Sequence, residues 1–211
     1  MNLKQLVSIS FALILCLQCT AQNNSYAIDI KSGSESSEIR QLMHFLAIER
    51  NKVILSAPDI AGKKVDLSYV EYTNGKASKE QVLTRGLPDN FYGANGSDTS
   101  FEFTLLSGEE DTSIHMEFVY PRFSIDVNFE RRVKKGYSMR TIDYSNGTYT
   151  YNKKTPLFTF ALPYTVKDDN KGNTESSYCQ LTYDGVPPEQ WYEKYGVEHY
   201  IIFYLTVVDK K

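Results

Sequence analysis

Three consecutive segments between residues 101 and 129 alternate strictly between apolar and polar side chains, and this constrains the fold more than any other feature of the sequence. The apolar positions are Phe101, Phe103 and Leu105, then Ile114, Met116, Phe118 and Tyr120, then Phe123, Ile125, Val127 and Phe129. A period of two predicts half-buried antiparallel strands that face one core. The same period recurs at Val65, Leu67 and Tyr69, and at Phe158, Phe160, Leu162 and Tyr164. Pro163 directs that last strand to an edge or a bulge.

Turn signals separate these segments at intervals of about ten residues. Asn74-Gly75 and Asn146-Gly147 are typical of two-residue hairpins, Pro121-Arg122 ends a strand, and residues 107–111 predict a longer polar loop. The segment 197–208 is apolar on both faces, which predicts a central strand with a helix over one sheet face. We expect a mainly β protein built as an antiparallel β-sandwich or an open barrel.

Two helices interrupt the β pattern. Ile39, Leu42, Met43 and Leu46 form one apolar stripe, which predicts a helix over about residues 35–50. Ser34 is the expected N-cap, and Asn51 is expected to end the helix in the left-handed conformation. A shorter C-terminal helix is expected over residues 188–195, with prolines at its start and Gly196 at its end.

The N-terminal 21 residues have the pattern of a secretory signal. Lys4 precedes an apolar run, Leu6 to Leu17, that is too short to span a bilayer, and Cys19-Thr20-Ala21 offers small residues for cleavage. We expect a single β-rich domain over 22–211, located in the periplasm or outside the cell. A lipoprotein anchored through Cys16 or Cys19 is the alternative, although the residue before each cysteine is not small. The intact mass of the exported protein separates the two.

The composition excludes a disordered chain, a fibrous chain and a polytopic membrane protein. The full chain of 211 residues has 23 Lys+Arg, 26 Asp+Glu and a 41% hydrophobic fraction, which are ordinary globular values. Lys4 is the only charged residue removed with the signal, which leaves 22 basic and 26 acidic side chains and a net charge of −4. We therefore expect no nucleic-acid partner and no transmembrane span in the mature chain. Cys179 is then the only cysteine, so no intrachain disulfide forms, and we expect it to act as a small buried hydrophobe.

No motif indicates a catalytic or metal site. His44, His115 and His199 are not clustered; His44 and His115 are expected to face solvent, and His199 to be a hydrogen-bonded residue at the start of a strand. A nucleophile elbow and phosphate-binding glycine motifs are absent, and the loop 168–175 departs from an EF-hand. The acidic run 109–111 and the basic residues Arg131, Arg132, Lys134 and Lys135 are expected to lie at solvated hairpin ends. We expect no cofactor and no metal.

Aromatic residues are the one compositional excess, with 16 Tyr and 11 Phe but a single Trp. Exposed flat rings can stack on sugars or anchor a protein partner. The expected ligand-binding residues are Phe91 and Tyr92 in a Gly/Asn-rich loop, and Tyr149 and Tyr151 beyond a hairpin turn. For Trp191, Tyr192 and Tyr195 we favour packing of the short helix onto the sheet.

Two segments resemble known proteins. Thr20-Ala21-Gln22 is similar to the signal-peptide junction of exported proteins from Bacteroidetes-type bacteria, and residues 185–196 resemble uncharacterised secreted families of that group. The resemblance implies an envelope or periplasmic location and a domain of unknown function; it offers no catalytic motif to transfer and implies nothing about mechanism.

The sequence therefore favours an exported, non-enzymatic binding or structural module of the cell envelope, with a glycan or an envelope protein as partner. A carrier of an apolar ligand is the alternative within binding, and it predicts an internal apolar cavity. A hydrolase is the alternative from another class, and it predicts His199 or Cys179 at a cleft floor beside a carboxylate.

Overall fold

The computed structural model describes residues 24–87, 99–132, 136–142, 147–167, 174–178, 181 and 185–208. These residues are mainly β and form two antiparallel sheets, as the alternation predicts. The strands are β1 (Ser25–Ser32), β2 (Ile48–Ser56), β3 (Lys64–Thr73), β4 (Lys76–Ala77), β5 (Gln81–Thr84), β6 (Ser100–Glu109), β7 (Ser113–Val119), β8 (Ser124–Glu130), β9 (Ser138–Thr141), β10 (Thr148–Thr150), β11 (Thr155–Ala161), β12 (Tyr164–Lys167), β13 (Thr174–Ser177) and β14 (His199–Val208).

The first sheet has the strand order β10-β1-β2-β6-β7-β8. Its central pair is β2 with β6, which are antiparallel from Ile48 opposite Gly108 to Ser56 opposite Ser100. The three alternating segments of the sequence are β6, β7 and β8, and their predicted apolar faces point inward. β1 has no counterpart among the predicted strands.

The second sheet has the order β4-β3-β14-β11-β9, and β5 also pairs with β3. β14 lies between β3 and β11, so the predicted central position of the last strand is confirmed. The expected strand through Tyr164 is interrupted, because β11 ends at Ala161 and β12 begins at Tyr164, with Pro163 between them. β12 pairs with β13 in a small separate hairpin.

Aromatic side chains join the two sheets. The Phe203 ring on β14 lies 5.4 Å from the Phe118 ring on β7, and the Tyr69 ring on β3 lies 5.0 Å from the Phe129 ring on β8. The apolar inner faces of both sheets therefore share one buried core. Burial of large rings of this kind dominates core stability.

The N-terminal helix is shorter than predicted. α1 spans Ser37–Phe45, and Ser36, not Ser34, is its N-cap and accepts a hydrogen bond from the Ile39 amide. Residues 48–50, predicted as helix, begin β2 instead. Ala47 adopts the left-handed φ of 52° that we expected at Asn51, and Asn51 is buried in β2.

The C-terminal helix confirms the sequence pattern. A 3₁₀ turn over Pro188–Gln190 leads into α2, Trp191–Tyr195, and Gly196 ends it with φ of 70°. Trp191 is buried, and its ring lies 5.3 Å from the Tyr200 ring on the outer face of the second sheet. The helix thus covers a sheet face, as expected for a central strand with two apolar faces.

Two turn predictions have different outcomes. Asn74 and Gly75 both have positive φ, at 49° and 75°, as a type I′ hairpin requires. The loop expected over residues 107–111 is wrong, because β6 continues through Glu109 and the turn is confined to residues 110–112. Glu109 is therefore a strand residue.

Candidate functional site

The inward faces of β2 and β6 change from apolar to polar at the same end of the first sheet. Val53 of β2 pairs with Phe103 in the core, whereas Glu49, four residues earlier in β2, pairs with Ser107. Glu109 lies two positions beyond Ser107 and so shares its face. The register of one strand pair thus brings two carboxylates and a hydroxyl together.

These side chains border a cavity of about 330 Å³ between the C-terminal end of α1 and the polar end of the sheets. The lining residues are Met43, His44, Ala47, Ile48, Glu49, Ser107, Gly108, Glu109, Tyr137 and Phe160. The volume is at the lower end of small-molecule sites. The Tyr137 and Phe160 rings are parallel, 5.5 Å apart, and form an aromatic wall.

The two carboxylates have different surroundings. Glu49 accepts a hydrogen bond from Ser138 Oγ at 2.9 Å and another from the Met139 amide at 2.5 Å. Burial nevertheless raises the pKa of Glu49, and the nearby Glu109 adds to this effect. Glu109 Oε2 forms an ion pair with Arg131 Nη2 at 2.6 Å. The negative charge of Glu109 is therefore compensated by Arg131, whereas burial disfavours the ionised form of Glu49.

Ser107 has unused hydrogen-bonding capacity. Its side chain lines the cavity and is 3% exposed, and its Oγ has no hydrogen-bond partner among the described residues. A buried hydroxyl without a partner costs stability, and such groups are rare in folded proteins. Ser107 thus places a hydroxyl without a described partner next to the space that a ligand would occupy.

A hydrogen-bonded chain supports the aromatic wall from behind. His199 is 1% exposed; its Nε2 lies 2.8 Å from Glu71 Oε1, and its Nδ1 lies 2.5 Å from the Tyr137 hydroxyl. The bond from His199 holds the pKa of Glu71 below its usual range, with Arg132 contributing by charge. Because a carboxylate only accepts, we place a hydrogen on Nε2. Burial raises the pKa of Tyr137 to about 12, so its hydroxyl stays protonated at neutral pH.

The structure corrects the expected exposure of two aromatic residues. Tyr149 and Tyr151 are buried, and both stack on Tyr26 of β1, with ring centroids 5.8 Å and 5.3 Å away. The reason is that β10 pairs with β1, a strand that the sequence pattern did not reveal. Neither side chain has the exposure that was expected of a ring that stacks on a sugar. Phe91 and Tyr92 lie outside the described residues.

The other predicted residues are placed as follows. His44 is exposed as expected but also lines the cavity, and His115 is on an outward face, 2.9 Å from Asn128 Oδ1. His199 is the hydrogen-bonded strand residue we expected. Arg131 is not at a solvated hairpin end, because it pairs with Glu109 and donates to the Glu110 carbonyl.

Some expectations fall outside the described residues. These include Cys179, Lys134 and Lys135, Asn146, and most of the loop 168–175, from which Thr174 and Glu175 are described within β13.

Sequence reasoning missed Glu49, Ser107 and Tyr137. One signal was available, since Ser107 and Glu109 occupy the inward positions that follow Phe103 and Leu105 in the alternation. The helix expected through residue 50 concealed the pairing partner that brings Glu49 beside them. Nothing local in the sequence connects Tyr137 to these residues.

Within the described residues, no three His, Cys, Asp or Glu side chains are placed to hold a metal ion. The helices of the same part of the chain are all too short or too polar to cross a membrane. No protein-family model, curated protein or solved structure matches this sequence.

Proposed function

We propose that the chain is an exported, non-catalytic binding module of the cell envelope that holds one carbohydrate unit in the cavity beside α1. The observation that carries the proposal is the buried Ser107 hydroxyl in the cavity wall, which has no partner in the part of the chain that the structure describes. In this proposal the two sheets form a β-sandwich and the ligand enters at its polar end. The signal-like N-terminus supports export.

The polar groups of the lining suit a neutral, hydroxyl-rich ligand. The Glu109 carboxylate, whose Oε2 is paired with Arg131, can accept a charge-assisted hydrogen bond from a ligand hydroxyl group. None of the described lining residues is Lys or Arg, which disfavours a phosphate or another anion. A cation is disfavoured too, because Glu109 is already paired with Arg131 and burial opposes ionisation of Glu49. Tyr137 and Phe160 make one side of the lining apolar; both side chains are buried, so we expect no stacking of a sugar on their rings.

Ser107→Ala tests this assignment. In isothermal titration calorimetry against the methyl glycosides of glucose, galactose, mannose and N-acetylglucosamine, we expect the wild-type protein to bind at least one. Losing a single neutral hydrogen bond should weaken that affinity about 3- to 10-fold. The melting temperature should stay the same or rise, since the substitution removes an unsatisfied buried hydroxyl.

Thr159→Val is the matched control. Thr159 Oγ1 is also buried with no partner among the described residues, but it lies on β11 outside the cavity lining. We expect a similar effect on the melting temperature and no effect on affinity. Absence of binding to every glycoside, or an equal loss of affinity in both variants, would contradict the proposed function.

The hydrolase alternative has one observation in its favour, the hydrogen bond between His199 and the Glu71 carboxylate. A catalytic base must reach the reacting atoms. Tyr137, however, separates His199 from the cavity, and its pKa of about 12 keeps its hydroxyl protonated. The chain Glu71–His199–Tyr137 thus suits fixing the position of the aromatic wall better than activating a nucleophile.

A further inference from the structure

α1 carries an apolar stripe that faces solvent. Three residues of the predicted stripe, Ile39, Leu42 and Leu46, are exposed, and together with Phe45 they form the solvent-facing stripe; Leu42 is 56% exposed and Phe45 84% exposed. No residue of α1 is buried. Helices on globular proteins normally turn such a stripe toward the core, and a contiguous exposed apolar patch marks an interaction site.

The stripe is continuous with the cavity. Met43 lines the cavity and lies four residues after Ile39 and three before Leu46, so it is next to both on the helix surface. Ala47 follows in the cavity lining. An apolar path therefore leads from the cavity mouth along α1.

The two surfaces differ in chemistry. The cavity is lined by carboxylates and the Ser107 hydroxyl and has room for a group of about monosaccharide size, whereas the stripe has only hydrocarbon and aromatic side chains. A single occupant that satisfies both must have a hydroxylated head and an apolar tail.

We infer that the ligand is a glycolipid-type amphiphile, whose sugar head enters the cavity and whose alkyl chain lies along the stripe of α1. This inference rests on the proposed function, because it requires the cavity to hold the sugar.

Alkyl glycosides of increasing chain length provide the test. The protein purified after export is titrated with methyl, butyl and hexyl glycosides of the four sugars, below their micelle concentrations. A fully buried CH₂ contributes about fourfold in affinity, and one half-buried on an open helix face about twofold. From methyl to hexyl we expect an increase of roughly 30-fold for the preferred sugar, by the same estimate.

Two variants locate the tail. Ile39→Gln/Leu42→Gln keeps good helix formers at exposed positions, and it should abolish the chain-length dependence while leaving methyl glycoside affinity unchanged. Val82→Gln, which removes an exposed apolar side chain from β5, is the control and should retain the dependence.

The outcomes separate the two proposals. Binding of methyl glycosides without any chain-length effect overturns the inference about the tail and leaves the proposed function intact. Absence of binding at every chain length overturns both. A chain-length effect that is independent of the sugar and insensitive to Ser107→Ala shows that the tail binds alone and overturns the single-ligand inference. The inference is also overturned if the chain-length dependence persists in the Ile39→Gln/Leu42→Gln variant. Loss of self-association in that variant would then assign the stripe to contact between copies of the chain.

Discussion

Glu49 and Glu71 are partly buried glutamates at the same end of the molecule, and their surroundings act on their pKa values in opposite directions. Burial raises the pKa of Glu49 above the ordinary value of 4.5. The hydrogen bond from His199 lowers the pKa of Glu71 below 4.5. Ionised Glu49 therefore destabilises the folded state at neutral pH. Ionised Glu71 contributes stability above about pH 4.5, and this contribution is lost as the pH falls through its folded pKa.

Replacing each glutamate by glutamine should accordingly change stability with opposite sign. At pH 7 we expect Glu49→Gln to raise the free energy of unfolding by about 0.5–1 kcal/mol, since an amide can still bond Met139 and Ser138. Glu71→Gln should lower it by about 1 kcal/mol, the difference between a charged and a neutral hydrogen bond. Urea unfolding of the wild-type protein and of each variant at pH 7 and pH 3 measures these changes in the free energy of unfolding. Both changes should be smaller at pH 3. Effects of the same sign, or effects independent of pH, would show that shape and not charge governs these sites.

At the scale of single elements, the junction of α1 and β2 shows where sequence patterns stop being sufficient. The stripe from Ile39 to Leu46 correctly predicted a helix, but the same periodicity was extended through Arg50. Ile48 to Arg50 instead pair with β6. That pairing satisfies backbone groups and buries side chains, and these gains outweigh local helix preference. Alternation predicted β6, β7 and β8 well, because in each of them one face is buried.

The sharp turn at this junction leads to a second stability prediction. Ala47 has φ of 52°, a left-handed conformation that is unfavourable for residues with a Cβ. Ala47→Gly should therefore raise the free energy of unfolding by about 0.5–1 kcal/mol, despite the added flexibility of the unfolded chain. Ala27→Gly, at an exposed position of β1 where φ is not positive, should lower it by about 0.5–1 kcal/mol. Chemical denaturation measures the free energy of unfolding of both variants. If Ala47→Gly lowered it, the left-handed conformation of Ala47 would not be a source of strain at the end of the helix.

At the scale of the whole molecule, the sequence predicts strands and their faces but not their partners. β14 pairs with β3 so that His199 lies opposite Thr73, and β2 pairs with β6 so that Glu49 lies opposite Ser107. No local pattern encodes contacts between residues so far apart in sequence. The cavity takes its lining from four separate segments of the chain, of which only β2 and β6 are joined by one of these pairings, and for that reason the candidate site could not be predicted. The burial of Tyr149 and Tyr151 against β1 has the same origin.

The shared core predicts that the two sheets unfold together. Phe203 on β14 is fully buried and contacts Phe118 and Phe129 of the first sheet. We expect Phe203→Ala to lower the free energy of unfolding by about 3–5 kcal/mol. Phe45→Ala, the same substitution at an exposed residue of α1, should change it by no more than about 0.5 kcal/mol.

Hydrogen exchange shows whether that loss is common to both sheets. If they form one cooperative unit, Phe203→Ala lowers the protection of the β7 and β14 amides by the same factor, because both exchange through global unfolding. Tryptophan fluorescence adds an independent probe, since the only Trp of the chain, Trp191, is buried against the outer face of the second sheet. Its unfolding transition should coincide with that of the β-sheet circular dichroism signal. If β14 lost protection while β7 stayed protected, the result would contradict a single domain over 22–211. The two sheets would then unfold separately despite the ring contacts between them.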